Sequence, residues 1–331
     1  MIAPTRLRDR FGRTIDYLRI SLTDVCNLRC VYCMPETMSF RPSEDLMQDA
    51  EILHLVRLFG ELGFRKVRFT GGEPLLRENV ASLVREVVNT SGISEVALTT
   101  NGVLLKHLAG PLKEAGLQRV NISIDSLDPG KFKRMTRWGN LDDVWAGLRA
   151  AEAAGLGVKL NGVVIRDYND GEDVVELARL TLDHAWQVRY IEVMPFGSVA
   201  DFQLKHIVSE DELRATISKA LGPMELVNEG KLDGEARLYR LQNAIGDLGF
   251  ISSVTRPFCV ACNRGRLTPD GKFRLCLLKD KELDVLSLLR SEVSDETIKA
   301  SLAEAIWHKP WGHELARNKF PTHRVMSEIG G

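Results

Sequence analysis

The chain has 331 residues, of which 44% are hydrophobic and 27% are charged, a composition typical of a globular protein. Its formal net charge of −1 excludes a global excess of positive charge for nucleic-acid binding. The sequence contains no run of about 18 apolar residues, so no membrane span is predicted. Because the N-terminal segment is charged and lacks the apolar centre of a signal peptide, we expect a cytoplasmic protein.

Strands and helices alternate from residue 17 to about residue 194. The six candidate strands are short, apolar and bounded by turn residues; they are Tyr17–Leu22, Lys66–Thr70, Glu95–Thr99, Arg119–Ile124, Val158–Ile165 and Val188–Val193. Amphipathic helices are predicted between them, the first with Ile52, Leu53, Val56 and Phe59 on one face and the others at Asn79–Asn89, Leu104–Ala115, Leu141–Ala154 and Glu172–Leu182. This alternation predicts an α/β fold with a parallel sheet.

Six such units without a Rossmann glycine fingerprint favour an incomplete (β/α)6-type TIM barrel over the closed form with eight units. A doubly wound open sheet is the alternative, because periodicity does not separate the two. The alternation stops at Pro195. A helix is predicted over 209–220, with Ser209 as N-cap and Glu212 completing a capping box. We therefore predict a barrel over residues 1–200 and a C-terminal domain over residues 201–331.

The cysteines fall into two groups of three with none left over; they are Cys26, Cys30 and Cys33, and Cys259, Cys262 and Cys276. Three thiolates leave one iron of a four-iron cluster open, whereas a structural zinc site needs four protein ligands. The CxxxCxxC spacing of the first group resembles that of the radical S-adenosylmethionine (SAM) superfamily. We favour two iron–sulfur clusters over disulfides, with one zinc ribbon and two spare thiols as the alternative.

Polar or small residues mark the predicted strand ends, where function gathers in barrels; they include Gly71–Pro74 (GGEP), Thr99, Ser123, Asp125, Asn161, Glu192 and Met194. The two glycines of GGEP allow the backbone to approach a ligand closely, and its free polar groups suit the amino group of a bound amino acid. We expect Met194 to line an adenine pocket. Tyr32, between two cysteines, is expected either to pack or to offer its backbone to adenine.

Basic residues form a second group of candidate site residues. Five lie on predicted strands, namely Arg19, Lys66, Arg68, Lys159 and Arg189. Four more are interleaved with the second cysteine group, namely Arg264, Arg266, Lys272 and Arg274. A charge inside a barrel is costly unless an anion accompanies it. The set therefore predicts a polyanionic substrate, most simply a triphosphate. The sequence contains no P-loop, so the phosphates are not held as in an ATPase.

Longer segments of the sequence restrict the resemblance to one family within this superfamily. They include VRFTGGEPLLR, LTTNGVLL, VNISIDSLDPGKF, FCVACNRGRLTPDGKFRLCL and the terminal MSEIGG. Across almost its whole length the sequence resembles the MoaA family of GTP 3′,8-cyclases, radical SAM enzymes that begin molybdenum cofactor biosynthesis. Asp167 and Tyr168 depart from the family pattern, which affects a loop but no ligand.

The resemblance implies a role for each candidate site residue. Cys26, Cys30 and Cys33 would hold the SAM cluster, and Cys259, Cys262 and Cys276 a second [4Fe–4S] cluster. The implied SAM contacts are Tyr32, Gly72, Ser123 and Met194. The implied GTP contacts are Arg19, Arg68, Thr99, Lys159, Arg264, Gly265 and Arg266. Catalytic roles are implied for Arg189, Gly330 and Gly331, with the Gly-Gly terminus expected to enter the active site.

The implied reaction begins with reductive cleavage of SAM, continues with hydrogen abstraction from C3′ of GTP and ends with a C3′–C8 bond. The implied partners are GTP, an electron donor and the downstream cyclic pyranopterin monophosphate synthase, with no nucleic acid and no membrane, and with a homodimer left open. Two other classes remain from the residues alone. One is a radical SAM enzyme that modifies peptides, and the other is a non-enzymatic iron–sulfur electron carrier.

Overall fold

The structure, a computed structural model, describes residues 7–330. All six predicted strands are present, and none of their ends differs from the prediction by more than one residue; they are β1 (Tyr17–Ser21), β2 (Lys66–Thr70), β3 (Glu95–Thr100), β4 (Arg119–Ser123), β5 (Gly157–Val164) and β6 (Gln187–Glu192). Neighbours along the chain pair in parallel. The α/β class and the incomplete barrel are thereby confirmed.

Helices connect these strands and cover one face of the sheet; they are α1 (Asp49–Glu61), α2 (Val80–Val88), α3 (Leu105–Glu114), α4 (Pro129–Thr136), α5 (Leu141–Ala153) and α6 (Glu172–Asp183). Helix α4 was not predicted, because its Pro129–Gly130 start has the composition of a turn. Proline is favoured at the first helical position, and the Asp128 side chain accepts a hydrogen bond from the Lys131 amide at 2.7 Å. These two features start the helix.

The C-terminal region adds six strands to the same sheet, namely β7 (Met224–Leu226), β8 (Arg237–Leu241), β9 (Asp247–Ile251), β10 (Arg264–Leu267), β11 (Lys272–Arg274) and β12 (Glu282–Asp284). Strand β10 pairs in parallel with β1, and β9 pairs in parallel with β6. The order in the sheet is β12-β11-β10-β1-β2-β3-β4-β5-β6-β9-β8-β7. The C-terminal strands therefore extend both edges of the partial barrel.

Four further helices follow β6, namely α7 (Ala200–Lys205), α8 (Glu210–Leu221), α9 (Val285–Arg290) and α10 (Asp295–Trp307). The predicted capping box of α8 is present, since the Ser209 and Glu212 side chains each accept a bond from the other's amide. The domain boundary near residue 200 stays a prediction. Among residues 7–330, no helix is long and apolar enough to cross a membrane.

Alternation along the strands separates two environments. In β1, Leu18 and Ile20 are fully buried in the large apolar core that includes the helices, whereas Arg19 and Ser21 project from the opposite face. The same alternation places Val67 and Phe69 of β2 in the core. The barrel interior is therefore polar, although its outer face is a continuous apolar layer.

Glycine allows a close approach between α5 and the start of α3. A Cβ atom added at Gly147 would lie 2.2 Å from the Gly102 carbonyl oxygen and 3.1 Å from the Leu105 Cβ. Gly110, within α3, faces open space, and no atom lies within 4 Å of an added Cβ. The two positions therefore share a helical backbone but differ in their surroundings.

We predict opposite effects of alanine at these two glycines. Gly147→Ala should destabilise the protein by about 1–3 kcal/mol, because the new methyl group overpacks a backbone contact. Gly110→Ala should stabilise it by about 0.5–1 kcal/mol, because the unfolded chain loses freedom and nothing clashes. Thermal unfolding of anaerobically purified protein measures both. Melting temperatures that move in the same direction would contradict this account of the packing.

Candidate active site

A cavity at the carboxyl ends of the central strands is lined by all six cysteines. The first three lie in the loop after β1, and the others lie in the segment before β10 and directly after β11. All six are free thiols that are half-buried, so the disulfide alternative is absent. Among residues 7–330, no three Cys, His, Asp or Glu side chains are placed to share a single metal ion.

The GGEP turn packs directly on the first cysteine loop. The Gly72 and Glu73 amides donate to the carbonyl oxygens of Thr23 and Val25 at 2.7 and 2.8 Å. A Cβ at Gly72 would lie only 2.3 Å from the Val25 oxygen, so this approach requires glycine. The turn therefore fixes the position of the loop that carries Cys26 relative to β2.

Glu73 joins the ends of β2 and β3 beneath this loop. Its buried carboxylate accepts from the Asn101 amide at 2.7 Å and from the Thr100 hydroxyl at 2.8 Å. Burial raises the pKa of Glu73 to about 7. Asn101 in turn donates to the Asn27 side chain at 2.7 Å. The chain from Glu73 to Asn27 orients the loop next to its first cysteine.

The donor set fits an iron–sulfur cluster at each end of the cavity. Near Cys26, the Leu28 amide donates to the sulfur at 3.4 Å, a contact of the kind that stabilises cluster thiolates. A Cβ on Gly312 would lie 2.9 Å from the Cys259 sulfur, so this segment lies directly against the second group. Burial raises the pKa of Cys26 to about 11, whereas Arg264 and Lys309 outweigh burial and lower that of Cys262 to about 6.

All four residues with implied SAM contacts, namely Tyr32, Gly72, Ser123 and Met194, line the cavity. The Tyr32 hydroxyl donates to Asp125 at 2.8 Å, and its carbonyl accepts from Gln203 at 2.6 Å. That carbonyl is thus engaged within the protein, and Tyr32 is held from both ends. Asp125 also accepts from the Val163 amide, and burial raises its pKa to about 6.

A row of arginines crosses three adjacent strands. Arg19 of β1 is in register with Arg68 of β2 on one side and with Arg266 of β10 on the other. Arg264, two residues before Arg266, is in register with Tyr17. All four arginines are buried and line the cavity. Parallel pairing therefore places Arg19, Arg68 and Arg266 at one level of the barrel, with Arg264 two residues nearer the amino end of β10.

Glu235 lies within this row and was missed by sequence reasoning. Its carboxylate forms ion pairs with Arg19, with Arg264 at 3.0 Å and with Arg68 at 3.9 Å. Burial alone would raise the pKa of Glu235, but these guanidinium groups hold it well below its usual value. Its loop lies between β7 and β8 and carries no local pattern that could have marked it.

Of the remaining predicted site residues, one lines the cavity and three lie beside it. Lys159 pairs with Asp233 at 2.6 Å, and the Arg189 Nε donates to Asn161 at 2.9 Å. Gly265 lies on β10 between the two arginines. Thr99 lines the cavity. Lysine 159, Arg189 and Gly265 are adjacent to this set without lining the cavity themselves.

The expectation that Lys66 belongs with the inward cations is wrong. Its side chain is exposed and pairs with Glu95 at 2.9 Å. As the first residue of β2 it lies at the strand's amino end, away from the carboxyl ends that form the site. Lys272 and Arg274 pair with Asp284 and Glu282 and do not line the cavity.

The C-terminal segment reaches the row of arginines. The Gly330 carbonyl oxygen accepts a hydrogen bond from Arg266, and its amide donates to Met326 at 3.0 Å. An added Cβ at Gly330 would lie 2.7 Å from Thr70 and 2.9 Å from Ser21, and its φ is +83°, so glycine fits there best. Gly331 lies outside the described residues.

Comparison with known proteins first identifies the class. Residues 20–181 match the radical SAM superfamily. Crystal structures of Streptococcus suis SuiB share the fold. The SAM-bound form has a TM-score of 0.59 and 14% identity, covering 82% of this chain and 64% of SuiB. The form bound to the precursor peptide SuiA has a TM-score of 0.61 and 13% identity, covering 91% and 66%. The fold and site define a radical SAM protein.

The family follows from closer relatives. Residues 186–315 match the family described as Molybdenum Cofactor Synthesis C. GTP 3′,8-cyclases of Moorella thermoacetica and Thermodesulfovibrio yellowstonii are both 44% identical to this chain, over 98% of it and 100% of their own length. The chain belongs to the GTP 3′,8-cyclase family of radical SAM enzymes. Membership of this superfamily implies SAM and a [4Fe–4S] cluster.

Proposed function

We propose that this chain carries out the reaction for which its relatives are named, joining C3′ of the ribose to C8 of the guanine in GTP, as the first step of molybdenum cofactor biosynthesis. The observation that carries the proposal is the single cavity lined by both cysteine groups and by the row of arginines. Neither an electron carrier nor a structural protein needs buried cations at this place. The likeness to SuiB concerns the fold alone, so it does not favour peptide modification.

The two cysteine groups would each hold a [4Fe–4S] cluster, and SAM would bind beside the first one. When bound, the first cluster and SAM supply the carbon radical that removes hydrogen from C3′. The protein's part is to hold the ribose near that radical and keep water away, since such reactions depend on close placement of the reacting atoms. The apolar side chains of Leu28 and Ile251 line the cavity between the polar groups and support this exclusion.

The chain's own groups suit the binding of SAM. The GGEP turn presents backbone close to the first cysteine loop, where an amino acid moiety chelated to iron would lie. Tyr32 is fixed by Asp125 and Gln203, so that its ring forms a defined wall. Ser123 ends β4 in the same cavity. Met194 packs against the apolar cluster of Phe196, Leu278 and Ile329, which includes a residue of the C-terminal segment.

The arginine row suits the triphosphate. Buried nitrogens without a hydrogen-bond partner among the described residues include Arg19 Nε, Arg68 Nε and Arg189 Nη2. A buried donor left unpaired is costly, and arginine donors match phosphate oxygens well. Arg264 and Arg266 extend the same surface toward the second cysteine group. We infer that GTP lies between the two cysteine groups, with Lys159, Arg189 and Thr99 completing the contacts.

The proposal extends to the cellular setting. Free thiols that bind clusters require a reducing compartment, for which the cytoplasm is the natural choice. The reaction needs an external one-electron donor, and its product requires a downstream synthase that forms cyclic pyranopterin monophosphate. We propose no nucleic-acid or membrane partner, and a homodimer stays an expectation.

The two-cluster proposal predicts about eight irons per chain after anaerobic reconstitution. Replacing Cys26, Cys30 and Cys33 together by Ala should remove half of this iron and abolish SAM cleavage. Replacing Cys259, Cys262 and Cys276 should also remove half, but should preserve SAM binding and stop GTP conversion. Iron and sulfide analysis with a SAM cleavage assay measures both. About four irons in the unaltered protein would contradict the second cluster.

The phosphate assignment predicts that Arg264→Ala and Arg266→Ala each weaken GTP binding by about 1.5–3 kcal/mol, the range of a charge-assisted hydrogen bond. Arg85→Ala is the matched control, because Arg85 is exposed on α2 and far from the cavity. Equilibrium binding measures affinity, and an anaerobic assay with SAM, GTP and dithionite measures the cyclised product. Unchanged GTP affinity at normal iron content in both variants would show that these arginines do not hold substrate.

We further propose that Gly330 and Gly331 take part in the site, and that Gly330 does so by ordering Arg266. A protein that ends at Ile329 loses the carbonyl that Arg266 contacts, so cyclisation should fall at least about tenfold, as expected when a buried charged donor loses its acceptor. Iron content and SAM binding should stay normal and serve as internal controls. A Gly-Gly peptide added in trans should restore part of the activity. Normal product formation by the truncated protein would exclude a role for the tail.

A further inference from the structure

Glu235 lies at the centre of the group of buried arginines that we propose as the triphosphate site. One carboxylate contacts three guanidinium groups, those of Arg19, Arg68 and Arg264. It is only 5% exposed, so these pairs are shielded from solvent. A carboxylate and a phosphate offer the same kind of acceptor oxygens to an arginine. Glu235 therefore occupies donors that a phosphate would use.

The carboxylate comes from a tight turn that carries a second one. Within the loop between β7 and β8, the Asp233 and Ala236 backbones exchange hydrogen bonds at 2.9 and 3.1 Å around Gly234, whose φ is +65°. Asp233 pairs with Lys159 at 2.6 Å and accepts from Gln187 at 3.0 Å. Two acidic side chains of one turn thus meet cations from β1, β2, β5 and β10.

A purely structural role for Glu235, as the counter-charge of the buried arginines, does not account for the number of arginines around it. Five guanidinium groups are buried around a single buried carboxylate; they belong to Arg19, Arg68, Arg189, Arg264 and Arg266. Among residues 7–330, buried nitrogens of Arg19, Arg68 and Arg189 have no hydrogen-bond partner, so the cluster keeps donors for further anionic oxygens. A triphosphate that reached them would bring several negative charges next to Glu235. Like charges brought together in a buried site repel each other, so the carboxylate and the phosphates would compete for the same guanidinium donors.

We propose that Glu235 is an internal competitor of the substrate triphosphate: its carboxylate holds the arginines in place and must leave them when the phosphates bind, and it thereby sets the affinity for GTP. This proposal rests on the proposed function of the site. It predicts that the competition concerns the phosphates alone and leaves the guanine and ribose contacts unaffected. It also predicts that Glu235 stabilises the protein without nucleotide, because it compensates buried cations.

The test compares the unaltered holoenzyme with Glu235→Gln, an isosteric change that removes the charge and replaces one acceptor oxygen by an NH2 donor. Glu229→Gln is the matched control, because Glu229 lies in the same loop but is exposed, with only a surface pair to Lys231. Binding of GTP, inorganic tripolyphosphate and guanosine is measured anaerobically by equilibrium dialysis. Guanosine carries the base and ribose without phosphate, and tripolyphosphate carries the phosphate alone.

We expect Glu235→Gln to bind GTP and tripolyphosphate at least about tenfold more tightly, since a nearby like charge is removed. Guanosine binding should not change, and Glu229→Gln should change none of the three. The Glu235→Gln protein should melt at a lower temperature without nucleotide but gain more from added GTP. If the Glu235→Gln protein does not fold, the proposal is tested with Asp233→Asn instead. This variant should also bind tripolyphosphate more tightly than the unaltered protein.

Weaker or unchanged binding of GTP and tripolyphosphate by a folded Glu235→Gln protein would overturn the proposal and make Glu235 a permanent organiser of the arginines. Unchanged tripolyphosphate binding by Asp233→Asn would overturn it where that variant decides. Tighter guanosine binding would show that the glutamate acts on another part of the substrate. Failure of the proposed function is distinct, because then the unaltered enzyme itself would not bind GTP, or would bind it independently of Arg264 and Arg266.

Discussion

Burial of several guanidinium groups at one level of the barrel is the constraint on which this site depends. A buried cation is costly unless anions or polar acceptors surround it. Acceptor groups contact the buried arginines; they are the carboxylate of Glu235, the carbonyl of Gly330 and the side-chain amide of Asn161. Each acceptor comes from a different part of the chain. The arginines thus hold the β7–β8 loop and the C-terminal segment against the barrel, and within the part of the chain that the structure describes Arg19, Arg68 and Arg189 keep buried nitrogens without a hydrogen-bond partner.

The position of β10 links this cation row to the chemistry of the second cysteine group. Cys262, Arg264 and Arg266 lie within five residues, so the strand that pairs with β1 carries two of the buried arginines and closely follows a cysteine of the second group. Any substrate held by these arginines is therefore placed relative to the second group by a short piece of covalent chain. At the opposite end, the GGEP turn does the same for the first group, because Gly72 and Glu73 bond directly to the cysteine loop.

Local patterns predicted the strands well and the site only in part. The six barrel strands have strong turn signals at their ends, so their bounds were nearly correct. Helix α4 was missed because a Pro-Gly pair has two meanings, a turn or a helix start, and only the Asp128 cap decides between them. Lys66 was misplaced because it was grouped with the other basic residues by residue type, although it is the first residue of β2 and so lies at the amino end of the strand. Glu235 and Asp233 were missed because no motif marks a loop residue whose partners lie far away in sequence.

The sequence by itself determined the class of the fold, the two cysteine groups, the glycines of the first turn and the family, because each depends on residue types at short spacing. Only the tertiary structure decided that β10 lies beside β1, which brings Arg266, Arg19 and Arg68 into one row. It also decided that Glu235 enters that row and that Gly330 meets Arg266. The physical reason is that side-chain alternation specifies an element and its faces, whereas strand partners are chosen by the packing of the whole sheet.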